Sequence, residues 1–355
     1  MSDFQNLTDL ASRRFGAGAM ATNDEFFAEK ENLLNAGRAD FQAQTFGHKG
    51  QIYDGWETRR RREPGHDWVI VRLGLAGIIK GVVIDTGNFT GNCPDEASIE
   101  ATALEGNPGP EDLERAEWIT LVAPSPIAGD SENLFAIDDP HRWTHVRLSI
   151  YPDGGVSRLR VHGVVVLDPR WVLVRRTIDL AALENGAKLI GSSDDYYSSA
   201  RNTLLPGSAL TQGDGWENRR RRDGGNDWFA VALALPGKVV GIELDTAHFK
   251  GNAPGWISIS AGTSLSTGLG ALTLVSKTPI QPDTLHRYII EDPTVVEAIR
   301  LDVYPDGGLG RFRVWGSPTE SALRNLADTW WKSLPTCQRD QIALTGTLAE
   351  YIEGP

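Results

Sequence analysis

The chain has 355 residues, 40% hydrophobic and 23% charged, with two cysteines, Cys93 and Cys337, which excludes a disordered or fibrous chain and a disulfide framework. Its 35 Lys+Arg against 47 Asp+Glu give a net charge of -12 and a pI near 5.1, a field that repels polyphosphates and anionic lipid, so nucleic acid and membrane are not expected partners. No apolar run approaches the roughly 18 residues of a membrane span, and the opening residues lack an apolar signal core, so a cytoplasmic location is expected.

In chain order, the first legible strands are residues 67–73 and 81–85, short β-prone runs bounded by Gly. Residues 146–151 alternate and stop at Pro152-Asp153-Gly154-Gly155, residues that fix or free φ, after which 158–161 resume the alternation as the return arm of a hairpin. Residues 168–190 read as a connection. Strands then recur at 227–233 and 241–245. Residues 319–334 place Leu323, Leu326, Ala327, Trp330 and Leu334 on one helical face, with Pro335 as the stop. Many short strands, 38 glycines and few helices predict an all-β protein of antiparallel sandwiches. The core is expected to include Trp68, Val71, Leu73, Trp228, Val231 and Leu233, and Trp56 and Trp216 also read as core.

The chain repeats itself. The segment DGWETRRRREPGHDW from Asp54 returns as DGWENRRRRDGGNDW from Asp214; residues 54–92 and 214–252 agree at 21 of 39 positions without a gap. YPDGGVSRLRVHG from Tyr151 returns as YPDGGLGRFRVWG from Tyr304. The expected organisation is therefore two homologous domains, 1–167 and 191–317, joined by 168–190 and followed by a helical tail, 318–355.

Asp-Gly-Trp-Glu-x-Arg-Arg-Arg-Arg, then Asp-Trp and an alternating strand, resembles the allantoicase repeat, as do 85–92 and their copy 245–252. The resemblance implies two tandem jelly-roll, galactose-binding-like domains assembled as a homo-oligomer. It also implies hydrolysis of allantoate to ureidoglycolate and urea. No cofactor is expected; a divalent metal requirement is left open. The competing reading is a jelly-roll module that binds a carbohydrate or another small molecule without catalysis.

Replacing one ureido group of allantoate by water needs a proton delivered to the departing urea and a base, roles for carboxyl groups or a carboxylate with a His. The candidates are Glu57, His66, Asp67, Glu217 and His248. The substrate carboxylate calls for the bidentate fork of Arg. Candidates for binding are Arg59, Arg60, Arg61, Arg62, Arg219, Arg221, His48, Lys49, Lys250 and Asn252. In extended chain Arg59 and Arg61 face one way and Arg60 and Arg62 the other, so at most half can line one pocket while the rest pair with Asp54, Glu57 or Asp67. Asp54 and Asp214 read as turn builders. The copies differ at His66/Asn226, Asn88/His248, Thr90/Lys250 and, without gaps, His48/Ser208. His141 and His145 beside Asp138 and Asp139 are a weak metal pattern and read as a solvated loop entering a strand.

Overall fold

A computed structural model describes residues 3–40, 45–48, 50–51, 53–263, 269–340 and 342–353. The chain forms two compact units, residues 1–166 with 329–344 and residues 167–328 with 345–355.

Each unit is built around one 19-residue strand, Asp67–Asp85 in the first and Asp227–Asp245 in the second. In the first unit Arg142–Tyr151 and Gly18–Thr22 pair antiparallel with the early part of this strand, and Arg158–Val165 and Glu132–Ala136 with its later part. Glu96–Thr102 and Ile119–Pro126 continue the sheet beyond Arg142–Tyr151, and Thr8–Asp9 closes it beside Arg158–Val165. The second unit repeats this order strand for strand. A strand that changes partners along its length belongs to both layers of a sandwich, and the architecture is the all-β jelly roll expected from the sequence.

The core of the first unit lies between those layers and includes Val69, Val71, Ile84, Ile99, Leu148 and Leu159, all fully buried. Each such side chain contributes about 1.5–3 kcal/mol by leaving water. Val71, Leu73, Val231 and Leu233 are buried as expected, and so are Trp56 and Trp216. Trp68 and Trp228 are only half-buried, a correction that follows from the period of two: Asp67, Val69 and Val71 face inward, so Trp68 turns outward. Trp228 instead lies under the Arg300 guanidinium, 4.4 Å from its ring centroid.

The stretch 168–190, expected to be a connection, is largely part of the second sandwich. After the helix Pro169–Arg175, Ile178–Asp179 pairs with Arg311–Pro318 and Lys188–Ser192 with the long strand. Two-residue strands carry too little periodicity to be read from sequence. The tail helix spans Glu320–Ser333, burying Ala327 and Trp330 and leaving Leu323 and Leu326 half-buried; the short helices Thr336–Arg339 and Gly346–Glu353 follow. Among the described residues no helix is long and apolar enough to cross a membrane.

Candidate active site

Glu57 is held by the two-residue strand Trp56–Glu57, paired with Gly155–Val156 and bridged to Ala28. Alternation buries Trp56, whose indole N–H donates to the Asp24 carbonyl at 2.8 Å. Glu57 points the other way, and its carboxylate accepts a 2.6 Å hydrogen bond from the Asn92 amide. Burial pushes the Glu57 carboxyl above its ordinary range, and the Asn92 bond only partly offsets this. Asn92 ends a loop anchored by Thr86, whose hydroxyl donates to the Ala128 carbonyl, and by Phe89. A Cβ on Gly155 would come within 2.1 Å of the Phe89 ring, and one on Gly308 within 1.9 Å of Phe249. This contact explains why Asp-Gly-Gly and the loop Phe occur together in both repeats.

The arginine run divides by alternation. The Arg59 backbone N–H and guanidinium both donate to the Asp24 carboxylate. The Arg61 N–H donates to Asp153, and its Nη1 to Asp67 at 2.7 Å. In the second repeat Arg219 holds Asp194, and Arg221 holds Asp306, Asp227 and Asp223. Arg59, Arg61, Arg219 and Arg221 are therefore bracing side chains. Asp67, almost fully buried, accepts from Asn23 and Arg61 and offers no exposed oxygen for proton transfer. Arg60 and Arg62 are exposed and make no ion pair or hydrogen bond with the described residues. All four arginines line an open cleft of about 520 Å³ together with Asn23, Asp24, Glu63 and Asp67, which corrects the expectation that at most half could face one pocket: Arg59 and Arg61 reach it while bonded to acids, Arg60 and Arg62 without such bonds.

Asp54 anchors the other side of the frame. It accepts from Arg158 at 2.5 Å and from the Asp40 N–H at 3.0 Å. Burial opposes its ionisation, but these donors outweigh it and hold the carboxyl below its usual range. Arg311 in the second repeat makes the matching bonds: Gly37 and Gly207 accept from Arg158 and Arg311, and the Asp40 and Leu210 N–H groups reach Asp54 and Asp214. These anchors set the equivalence. Fourteen steps separate Asp40 from Asp54 but four separate Leu210 from Asp214, so the first repeat carries ten extra residues here.

The extra segment includes the hairpin Phe46–Gly47 and Gly50–Gln51, with exposed His48 at its turn. His48 thus has no counterpart, and its gapless alignment with Ser208 is corrected; Lys49 lies outside the described residues. In the second repeat the Asn252 amide donates to Glu217 at 2.8 Å, while Gln212 donates to the Asn252 oxygen at 3.1 Å and to the His248 carbonyl.

The other candidates are dispersed. His66 is exposed, its ring centroid 4.8 Å from that of Tyr151. His248 has φ 72°, and its Nε2 meets the Ala209 carbonyl at 3.0 Å; Asn88 has φ 71° at the equivalent place and reaches Ala39. Both are loop-forming side chains at left-handed positions. Lys250 is exposed, 3.9 Å from Asp283. His141 bonds Asp139, whereas His145 is buried, meets Thr144 and has its pKa lowered by burial to about 4. Among the described residues no group of three or more His, Cys, Asp or Glu is gathered around a point where a metal could sit. Sequence reasoning passed over Asp24, Asn92, Asp153 and Arg158. For Asn92 and Arg158 the signal was present: each lies in a repeated motif, Gly-Asn and Arg-x-Arg.

A family model described as "Allantoicase repeat" matches residues 8–166 and again 178–319. A probable allantoicase of Nocardia farcinica is 48% identical over 320 residues, covering 88% of this chain and 95% of the relative. One of Streptomyces coelicolor is 44% identical over 336 residues, covering 91% and 89%. The crystal structure of the Saccharomyces cerevisiae allantoicase matches with a TM-score of 0.76 at 35% identity, covering 89% of this chain and 96% of that one. Two consecutive matches to the repeat, on the two sandwiches that carry the duplicated arginine motif, place this chain in the allantoicase family.

Proposed function

We propose that this chain hydrolyses allantoate to ureidoglycolate and urea at a site in its first repeat. In this reading Arg60 and Arg62 hold the substrate carboxylate. Glu57, whose carboxyl burial pushes above its ordinary range, gives its proton to the nitrogen of the departing ureido group. The C–N bond breaks with its electron pair leaving on urea while the lone pair of the remaining ureido nitrogen forms an imine-like C=N; water then adds to that carbon and returns a proton to the Glu57 carboxylate. Asn92 orients the Glu57 carboxyl.

The observation that carries the reading is the division of the arginine run, which leaves a guanidinium pair free beside bracing neighbours. Reach supports it as well. Glu57 and Arg60 are three residues apart, so their Cα atoms are separated by at most about 10 Å, within the span of one Arg side chain and the substrate. The first repeat is favoured because Gln212 occupies the Asn252 oxygen in the second.

The test is incubation of the purified protein with allantoate, with and without a chelator, scoring urea and ureidoglycolate. One urea per allantoate is expected, with allantoin left unopened. Absence of urea release, together with saturable binding of a sugar, would replace this reading by the carbohydrate-binding one.

A further inference from the structure

We infer that the second repeat carries a separate binding pocket for a small planar molecule whose edge presents a carbonyl oxygen beside an N–H, as in a cyclic amide or cyclic ureide. A cavity of about 380 Å³ opens between the helix Pro169–Arg175, the turn Leu183–Asn185 and the strand Arg311–Pro318. Its volume falls in the range of small-molecule sites. It shares no lining residue with the arginine motif or with the Glu217–Asn252 pair.

Two indoles, Trp171 and Trp315, form part of the wall, and Trp171 is 68% exposed. Such faces suit a flat ring. Deeper in, Arg313 Nη1 and Glu184 Oε2 are buried atoms with no hydrogen-bond partner. Arg313 is immobilised by its other amino group, which donates to the Leu205 and Gly207 carbonyls. Its Nη1 lies 3.5 Å from Asp179 Oδ2 without hydrogen-bond geometry, while Asp179 Oδ1 accepts the Ala181 and Val314 N–H groups. An unpartnered donor and an unpartnered acceptor on two residues lining one cavity are the complement of a C(=O)–N–H edge. Burial also raises the carboxyls of Glu184 and Asp179, in Asp179 against the lowering effect of its two backbone donors.

The first repeat shows that the fold does not require this opening. Asp9 there accepts from Ala11 and Val161, and Arg160 reaches the Asn35 and Gly37 carbonyls, as Asp179 and Arg313 do in the second. But Trp315 is replaced by His162, whose ring meets the Leu7 carbonyl and lies 6.0 Å from the ring of Phe4. Phe4 is buried and presses on Gly81. The place of Glu184 is taken by Arg14. The first repeat plugs the corner with its own aromatic ring and has an Arg where the second has the acceptor.

The test is isothermal titration of the full chain with uracil and hydantoin, with 1,3-dimethyluracil and galactose as controls. Saturable binding of uracil or hydantoin at submillimolar Kd is expected, weakened at least tenfold in Glu184→Leu and in Trp171→Ala, with urea release from allantoate unchanged in both variants. Trp171 is largely exposed, so Trp171→Ala keeps the test valid if Glu184→Leu misfolds. No binding of either ring, equal binding of dimethyluracil or galactose, or binding indifferent to both substitutions would overturn the inference.

Discussion

Replacing each of Arg59, Arg60, Arg61 and Arg62 by Lys separates bracing from substrate binding, because Lys keeps the charge and loses the fork. Arg61 donates to Asp67, whose side chain is 2% exposed. Losing a charge-assisted bond to a buried carboxylate costs about 1.5–3 kcal/mol, so Arg61→Lys lowers thermal stability by several degrees. Arg59 is 63% exposed, and solvent screening limits its pair to below about 1 kcal/mol. Arg60 and Arg62 brace nothing, so their Lys variants stay within about 0.5 kcal/mol of wild type in stability. Their loss falls on kcat/KM for allantoate instead, roughly 10- to 150-fold for a bidentate carboxylate contact worth about 1.5–3 kcal/mol. Initial rates of urea release and thermal unfolding of the same four proteins decide the matter. Wild-type kcat/KM in both Arg60→Lys and Arg62→Lys, with normal folding, would refute the assignment of the free pair.

Other outcomes follow from the same geometry. Glu57→Gln removes the transferable proton and lowers kcat by roughly 10²- to 10⁴-fold, while Glu217→Gln stays within a few fold, both read by urea release. Because burial lifts the Glu57 pKa, wild-type turnover limited by its acid form declines as pH rises through that raised value, and the Gln variant lacks this limb. Arg158→Met strips donors from the Asp54 carboxylate and from the Asn32, Gly37 and Asp54 carbonyls and lowers stability in denaturant titration by about 3 kcal/mol. Asp179 titrates at about 6 in the fold because of burial, against 3.8 as its ordinary value. The native state therefore holds the extra proton between these values, and stability falls by up to about 3 kcal/mol as pH rises through that window. Asp179→Asn, whose amide oxygen can keep the Ala181 and Val314 bonds, flattens that slope in unfolding measured from pH 4 to 7.

The duplication, the sandwich class and the helix near 319–334 were legible because each rests on a pattern longer than ten residues. The alternation rule grouped Arg59 with Arg61 and Arg60 with Arg62, as the bonds to acids do, but all four line one cleft, so it did not separate them between two faces. It could not say which set faced acids, since Asp24 and Asp153 lie 35 and 92 positions from the residues they hold. Asp67 looked available for chemistry in sequence because burial is not written in a single residue; only Asn23 and Arg61 closing over it reveal a brace. The ten extra residues before Asp54 were hidden by a gapless alignment that happened to start just after them. Trp68 was misplaced by its type, when the neighbouring Val69 and Val71 already fixed its face.

The fourfold arginine run in both repeats invites the inference that both carry a site. The hydrogen bonds show that retention of the run does not by itself establish this. Arg59 with Asp24 and Arg61 with Asp153 and Asp67 recur as Arg219 with Asp194 and Arg221 with Asp306 and Asp227. Half of each run thus braces the turn in both repeats, whatever the chemistry beside it. Retention of the motif therefore reports on the frame, and the differences between repeats report on function. Three of them bear on ligand binding: an added hairpin bearing His48 in the first repeat, Gln212 against Asn252 in the second, and Phe4 closing a corner that Trp315 and Glu184 leave open. Each alters which polar atoms are left for a ligand while the bonds of the frame stay the same. A duplicated fold can in this way hold one reaction site and release its second copy for another use.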